Sequence, residues 1–174
     1  MTGVVFPPGF TLEPLQKTDP RHLSDCGQPE VNHWLHTKAL QHQAKRLSAT
    51  RVLVDPNRAV TGFYTLATGQ VDFSDLPIDL ARKLPRRALP VAVLAWLGVS
   101  QARQGKKLGN RLLAQALRDC HEAGQTFAFV AVILDCVDER AKAFYQRWNF
   151  AEMPGQPYRL FLSLQTLASL MDGG

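Results

Sequence analysis

Three cysteines in 174 residues, Cys26, Cys120 and Cys136, are too few and too scattered for a disulfide framework, and none has a CxxC neighbour. They read as reduced thiols of a cytoplasmic protein. Long apolar runs are equally lacking: no stretch approaches the roughly 18 residues of a membrane span. The opening MTGVVFPPGF has neither the basic start nor the apolar core of a signal peptide. Negative charge is also short, with 15 Asp and Glu against 20 Lys and Arg, a formal net charge of +5. That excess suits a phosphate-rich ligand or nucleic acid without choosing between them. His33 and His36 form a spaced pair, but no further His or carboxylate completes a ligand set, so no metal is expected. Repeats and long linkers are absent too. One α/β domain over residues 1–174 is expected, large enough to bury a core unaided.

What is present concentrates in residues 91 to 113, VAVLAWLGVSQARQGKKLGNRLL. Val91 to Val99 is an apolar run that reads as a buried strand. Beyond a polar turn, Leu108, Leu112, Leu113, Ala116, Leu117 and Cys120 recur at helical spacing. A helix that starts after such a turn offers unpaired N–H groups and the positive end of its dipole to an anion. Gly105 and Gly109 permit a close approach, and Lys106 and Lys107 add charge. An ordinary strand-to-helix turn without a ligand fits the same residues.

Elsewhere, Phe10 to Leu15 reads as a short strand whose Pro14 suggests an edge. Pro29 suits the first turn of a helix running to about Leu47, with Val31, Trp34, Leu35, Lys38 and Ala39 on one face. His33, His36, His42, Lys45 and Arg46 fall on the other, solvated face. Arg51 to Asp55 and Ala59 to Thr68 read as a hairpin. Residues 69 to 90 swing from acidic to basic and read as an inserted surface helix and loop. Arg82, Lys83, Arg86 and Arg87 there, and Lys45 and Arg46 before, are candidate RNA contacts or solubilising surface. Phe127 to Leu134 reads as a strand buried on both faces. Asp138 can cap a helix carrying Ala141, Phe144, Tyr145 and Trp148. Tyr158 to Leu164 is a last strand, before a short terminal helix.

With LAWLGV at 94 to 99, RQGKKLGNRLL at 103 to 113 and DERAKAFYQRWNF at 138 to 150, the chain resembles the GNAT superfamily of N-acetyltransferases. That family's pyrophosphate loop reads Gln or Arg, two residues, Gly, one residue, Gly or Ala. Gln104 and Gly109 match its ends, and Lys107 replaces the inner glycine, a change that ordinary helical dihedrals would tolerate. The later signature, Asn-x-x-Ala-x-x-Phe-Tyr then Gly-Phe, is matched by Asp138, Ala141, Phe144, Tyr145 and Asn149-Phe150. Asn149 can take the left-handed conformation that glycine would. The Asp25-Cys26-Gly27 turn with Trp34-Leu35, residues Gly62 to Gly69, and Arg82 to Pro90 extend the resemblance to the GNAT toxins of bacterial toxin–antitoxin pairs. An arginine that many such toxins carry is absent at position 96, where Trp96 stands.

The resemblance implies a mixed, mostly antiparallel twisted sheet flanked by helices, with splayed central strands holding acetyl-CoA. Leu97, Gly98 and Val99 would line the pantetheine. Gln104, Gly105, Lys106, Lys107, Leu108, Gly109 and Asn110 would hold the pyrophosphate, chiefly through the N–H groups of 104 to 109. Lys107 is expected to reach the phosphates. Asp138, Ala141 and Phe144 belong to the second motif, and Tyr145 would be the general acid that protonates coenzyme A. The implied activity is acetylation of the amino group of aminoacyl-tRNA, blocking translation, with a ribbon-helix-helix antitoxin as partner and a homodimer as an option. A protein or small-molecule amine is an alternative acceptor. A non-catalytic module that binds coenzyme A or RNA is a further alternative.

Overall fold

The computed structural model describes residues 3–21 and 24–173, so two positions of the polar stretch expected at 16 to 28 lie outside the described residues. Seven strands form one sheet in the order β1-β2-β3-β4-β5-β7-β6. They are β1 (Thr11–Pro14), β2 (Ala49–Val54), β3 (Val60–Asp72), β4 (Ala88–Val99), β5 (Ala131–Asp135), β6 (Ala151–Met153) and β7 (Gln156–Ser163). The helices are α1 (Pro29–His33), α2 (Ala39–Ala44), α3 (Ile78–Ala81), α4 (Leu108–Ala123), α5 (Glu139–Gln146) and α6 (Leu164–Asp172). β1 lies at a sheet edge, where Pro14 can end it without removing a ladder bond from an interior strand.

The described residues separate into two compact units, 3–67 with 94–117 and 68–93 with 118–173. In the first, β1 pairs antiparallel with β2, and β2 with β3. A helical stretch covers a core of Val31, Leu35, Ala39, Val52, Val54 and Phe63. That stretch is not the uniform helix expected to Leu47. Between α1 and α2, Trp34–Lys38 form a π-helical turn. The wider turn brings Trp34 and Leu35 inward together and leaves Lys38 exposed, against the face expected from a 3.6-residue period. His42 likewise is not merely solvated: its ring meets Trp34 edge-on at 4.7 Å.

In the second unit, β4 runs parallel to β5 through Ala92↔Val132 and Val93↔Ile133, and β5 pairs antiparallel with β7. The β4 strand itself continues to Val99. Ala131 to Leu134 are fully buried, as a strand covered on both faces should be. The strand starts four residues later than expected. Phe127 is 77% exposed, and its N–H donates to Ala123 O at the exit of α4. Apolar character alone does not extend a strand; the ladder begins at Ala131, where Ser163 of β7 faces it. Gly124 follows the last residue of α4, a common place for glycine.

Candidate active site

Between β4 and α4 the chain makes one tight turn at Gln101–Arg103, then four residues to Leu108. The Gln104 N–H donates to Gln101 O at 3.3 Å, so it does not join the anion-facing set expected at 104 to 109. Among the described residues, the backbone N–H groups of Gly105, Lys106, Lys107, Leu108 and Gly109 have no hydrogen-bond partner. Five free donors at the start of a 16-residue helix are an arrangement that can receive a multiply charged anion. A Cβ built at Gly105 would meet nothing within 4 Å, so the space beside it is open. Lys106 and Lys107 are exposed.

Lys107 departs from expectation. Its φ is 62°, in the left-handed region, rather than helical. The loop keeps the path that glycine would favour, and the lysine carries the strain, about 1–2 kcal/mol. Gly105, at φ 80°, takes the same region without that penalty.

The strand leading into the loop is packed on one side. Gly98 is closely packed: a Cβ would sit 3.0 Å from both Phe63 and Val31, which would have to give way. Two residues earlier on the same strand face, Trp96 stacks on Trp34 with ring centroids 5.3 Å apart and planes 13° from parallel. Trp34 Nε1 donates to Thr65 Oγ1, which pairs with Thr50 Oγ1 at 2.7 Å. The stack depends on a distant pair of tryptophans, which local sequence spacing could not reveal. Leu97 and Val99 are partly buried. Arg103 reaches the buried Asp55 at 3.1 Å and lies over the Phe10 ring. Burial would raise the Asp55 carboxyl, but the Ala59 and Asn57 N–H groups and Arg103 outweigh it, and the net shift is downward.

The second motif is built on a capped helix. Asp138 Oδ1 accepts from Ala141 N at 2.8 Å, which fixes the start of α5. One face of α5 then buries Tyr145, which is only 9% exposed. Phe144 and Phe150 meet its ring edge-on, at 5.1 Å and 5.9 Å. Asn149 has φ 69° and closes the helix as the missing glycine would. The Tyr145 hydroxyl has no hydrogen-bond partner among the described residues. Burial pushes its pKa well above the ordinary value, with a smaller contribution from nearby Cys136. The same burial raises the Cys136 thiol to about 11. Cys120 is buried on α4, its thiol up at about 12. Cys120 is thus core, as its place on the apolar stripe suggested.

The basic residues divide between the units. Lys45 and Arg46 are exposed just past α2. Arg82, Lys83, Arg86 and Arg87 are all exposed between α3 and β4, with Arg82 3.5 Å from Asp79 and Arg86 over the Phe73 ring. His36 Nε2 lies 2.7 Å from Ser24 O, and no group of three His, Cys, Asp or Glu among the described residues could hold a metal ion.

A family model described as acetyltransferase (GNAT) family matches residues 69–150, a span that includes the loop and Tyr145. A tRNA-acetylating toxin of Mycobacterium tuberculosis is 31% identical over 160 residues, covering 87% of this chain and 95% of the relative. The chain belongs to the GNAT acetyltransferase family. Solved structures share the GNAT fold. AtaT complexed with acetyl-methionyl-tRNAfMet aligns with TM-score 0.84 and 24% identity, over 93% of this chain and 99% of that one. A tyrosine-to-phenylalanine mutant of the AtaT toxin, bound to the C-terminus of the antitoxin AtaR and acetyl-CoA, gives TM-score 0.78 and 19% identity, over 94% and 98%. In GNAT terms, the five free N–H groups and the open space beside Gly105 fit a pyrophosphate. No described helix is long and apolar enough to cross a membrane.

Proposed function

We propose that this protein is a single-domain cytoplasmic toxin over residues 1–174 that transfers acetyl from acetyl-CoA to the amino group of aminoacyl-tRNA and so blocks translation. The observation that carries the reading is a GNAT loop and a buried Tyr145 in a chain that aligns along 95% of a tRNA-acetylating toxin. When bound, acetyl-CoA supplies the thioester-linked acetyl group. The N–H groups of Gly105 to Gly109 hold its pyrophosphate, and Lys106 and Lys107 balance its charge. Leu97, Gly98 and Val99 line the pantetheine, whose amides would pair with strand backbone.

The acceptor nitrogen attacks the acetyl carbon, a C–N bond forms, and the C–S bond breaks. Tyr145 donates its phenolic proton to the departing sulfur, the amine gives up its own proton to water, and a proton from water restores the phenol. An aminoacyl ester has an unusually acidic ammonium, so enough neutral amine exists without a dedicated base. At first sight the raised Tyr145 pKa makes proton donation harder. Burial there disfavours anions, however, and it also raises the Cys136 thiol. A desolvated coenzyme thiol would be raised by the same cause, which offsets part of the rise at Tyr145.

Arg82, Lys83, Arg86, Arg87, Lys45 and Arg46 are the proposed phosphate contacts for tRNA. A ribbon-helix-helix antitoxin is the proposed partner, and self-association into a homodimer is part of the same reading. Expression in growing cells tests the proposal: growth arrest with acetylated aminoacyl-tRNA supports it, and healthy growth with unmodified charged tRNA contradicts it.

A further inference from the structure

Gln104, the first residue of the loop motif, does not point its amide at a ligand. Its Nε2 donates to Cys26 O at 2.7 Å and to Val99 O at 2.9 Å, which uses both of its N–H bonds. The Cys26 carbonyl belongs to a turn that is itself locked. Asp25 Oδ1 accepts from Gly27 N at 2.9 Å and from Asn32 Nδ2 at 2.8 Å, while Asn32 Oδ1 accepts from Cys26 N at 2.9 Å. A second link runs from Gln101 N to Asp25 O at 2.8 Å. Gly27, at φ 86°, holds a left-handed conformation that a side chain would strain, and the Gln101 amide lies against its Cα. Asn32 lies within α1, so the network ties the anion loop to the helix that precedes the Trp34 turn.

The loop needs such support. Gly105 and Lys107 both hold left-handed dihedrals, and five successive N–H groups stand unpaired. A strained backbone of this kind persists only where its surroundings over-determine it. We propose that the Asp25–Asn32 turn is a latch that keeps the anion loop in its phosphate-receiving shape. Gln104, Asn32 and Asp25 are then positioning residues that set acetyl-CoA binding without touching it. The inference rests on the reading of the loop as the acetyl-CoA site. By reciprocity, acetyl-CoA in the loop also stabilises the turn.

The test uses Gln104→Met, which removes the donor at similar length, and Asn32→Ala, which removes the lock one step further from the ligand. Each variant raises the KM for acetyl-CoA about tenfold while kcat at saturation changes less than about twofold. The double variant is little worse than either single one, because both act through one latch. An unchanged KM, a fall in melting temperature alone, or fully additive losses overturn the latch. In the wild-type chain, acetyl-CoA slows hydrogen exchange at the Cys26, Gly27 and Asn32 amides; unchanged exchange despite binding also overturns it. Wild type that does not bind acetyl-CoA at all sinks the loop reading instead, so the two failures are distinguishable.

Discussion

The anion loop and the Tyr145 setting solve opposite electrostatic problems. In the proposed reaction the loop receives charge; it is exposed, carries Lys106 and Lys107, and leaves five N–H groups unpaired. Its shape is held from outside by hydrogen bonds to its neighbours. In the proposed reaction Tyr145 keeps its proton until an anion forms, and it is buried with its ring edge-on to Phe144 and Phe150. Packing rather than hydrogen bonding holds it. The contrast predicts that the loop fails through binding and the tyrosine through chemistry.

The largest effect should come from Tyr145→Phe. Loss of a general acid lowers kcat about 10²- to 10⁴-fold, with the KM for acetyl-CoA nearly unchanged in steady-state assays. A matching rise in KM would erase the contrast. Next, reversing Lys106 and Lys107 together to Glu should raise the acetyl-CoA KM roughly tenfold or more at low salt, and less at high salt. Lys107→Gly separates charge from strain. It should stabilise the fold by about 1 kcal/mol in denaturant titration, because the left-handed penalty vanishes. It should also weaken acetyl-CoA binding if the side chain reaches the phosphates.

The sequence pattern carried most of the element order, though not the short β6, because it rests on local spacing: apolar periodicity for α4, the Asp138 cap for α5, and the glycine-like ending at Asn149. It misplaced features that depend on partners far along the chain. The start of β5 is set by its ladder with β7, not by the apolar run at Phe127. The π turn at Trp34–Lys38 changes which side chains face inward, and no 3.6-residue count contains it. At Gln104 the motif position was legible, but its amide bonds to Cys26, remote in sequence, could not be read from spacing. Lys107 was the one residue whose backbone state decided the matter, and it took the glycine-like state rather than the helical one.

Smaller effects sharpen the other side of the comparison. Because burial raises Tyr145, its acid form persists above the ordinary phenol pKa of about 10. The kcat profile should therefore show no alkaline loss from this group below about pH 10; a fall near pH 8 would assign the proton to another residue. Reversing charge at Arg82, Lys83, Arg86 and Arg87 should weaken tRNA binding and flatten its salt dependence without altering the acetyl-CoA KM.

One reaction decides the function. Purified protein incubated with acetyl-CoA and charged tRNA, followed by nuclease digestion and mass analysis of the terminal aminoacyl-adenosine, tests it directly. The expected product carries an acetyl group on its amino nitrogen and is nearly lost with Tyr145→Phe. Aminoacyl-adenosine that stays unmodified across charged tRNAs, from protein that demonstrably binds acetyl-CoA, would contradict it.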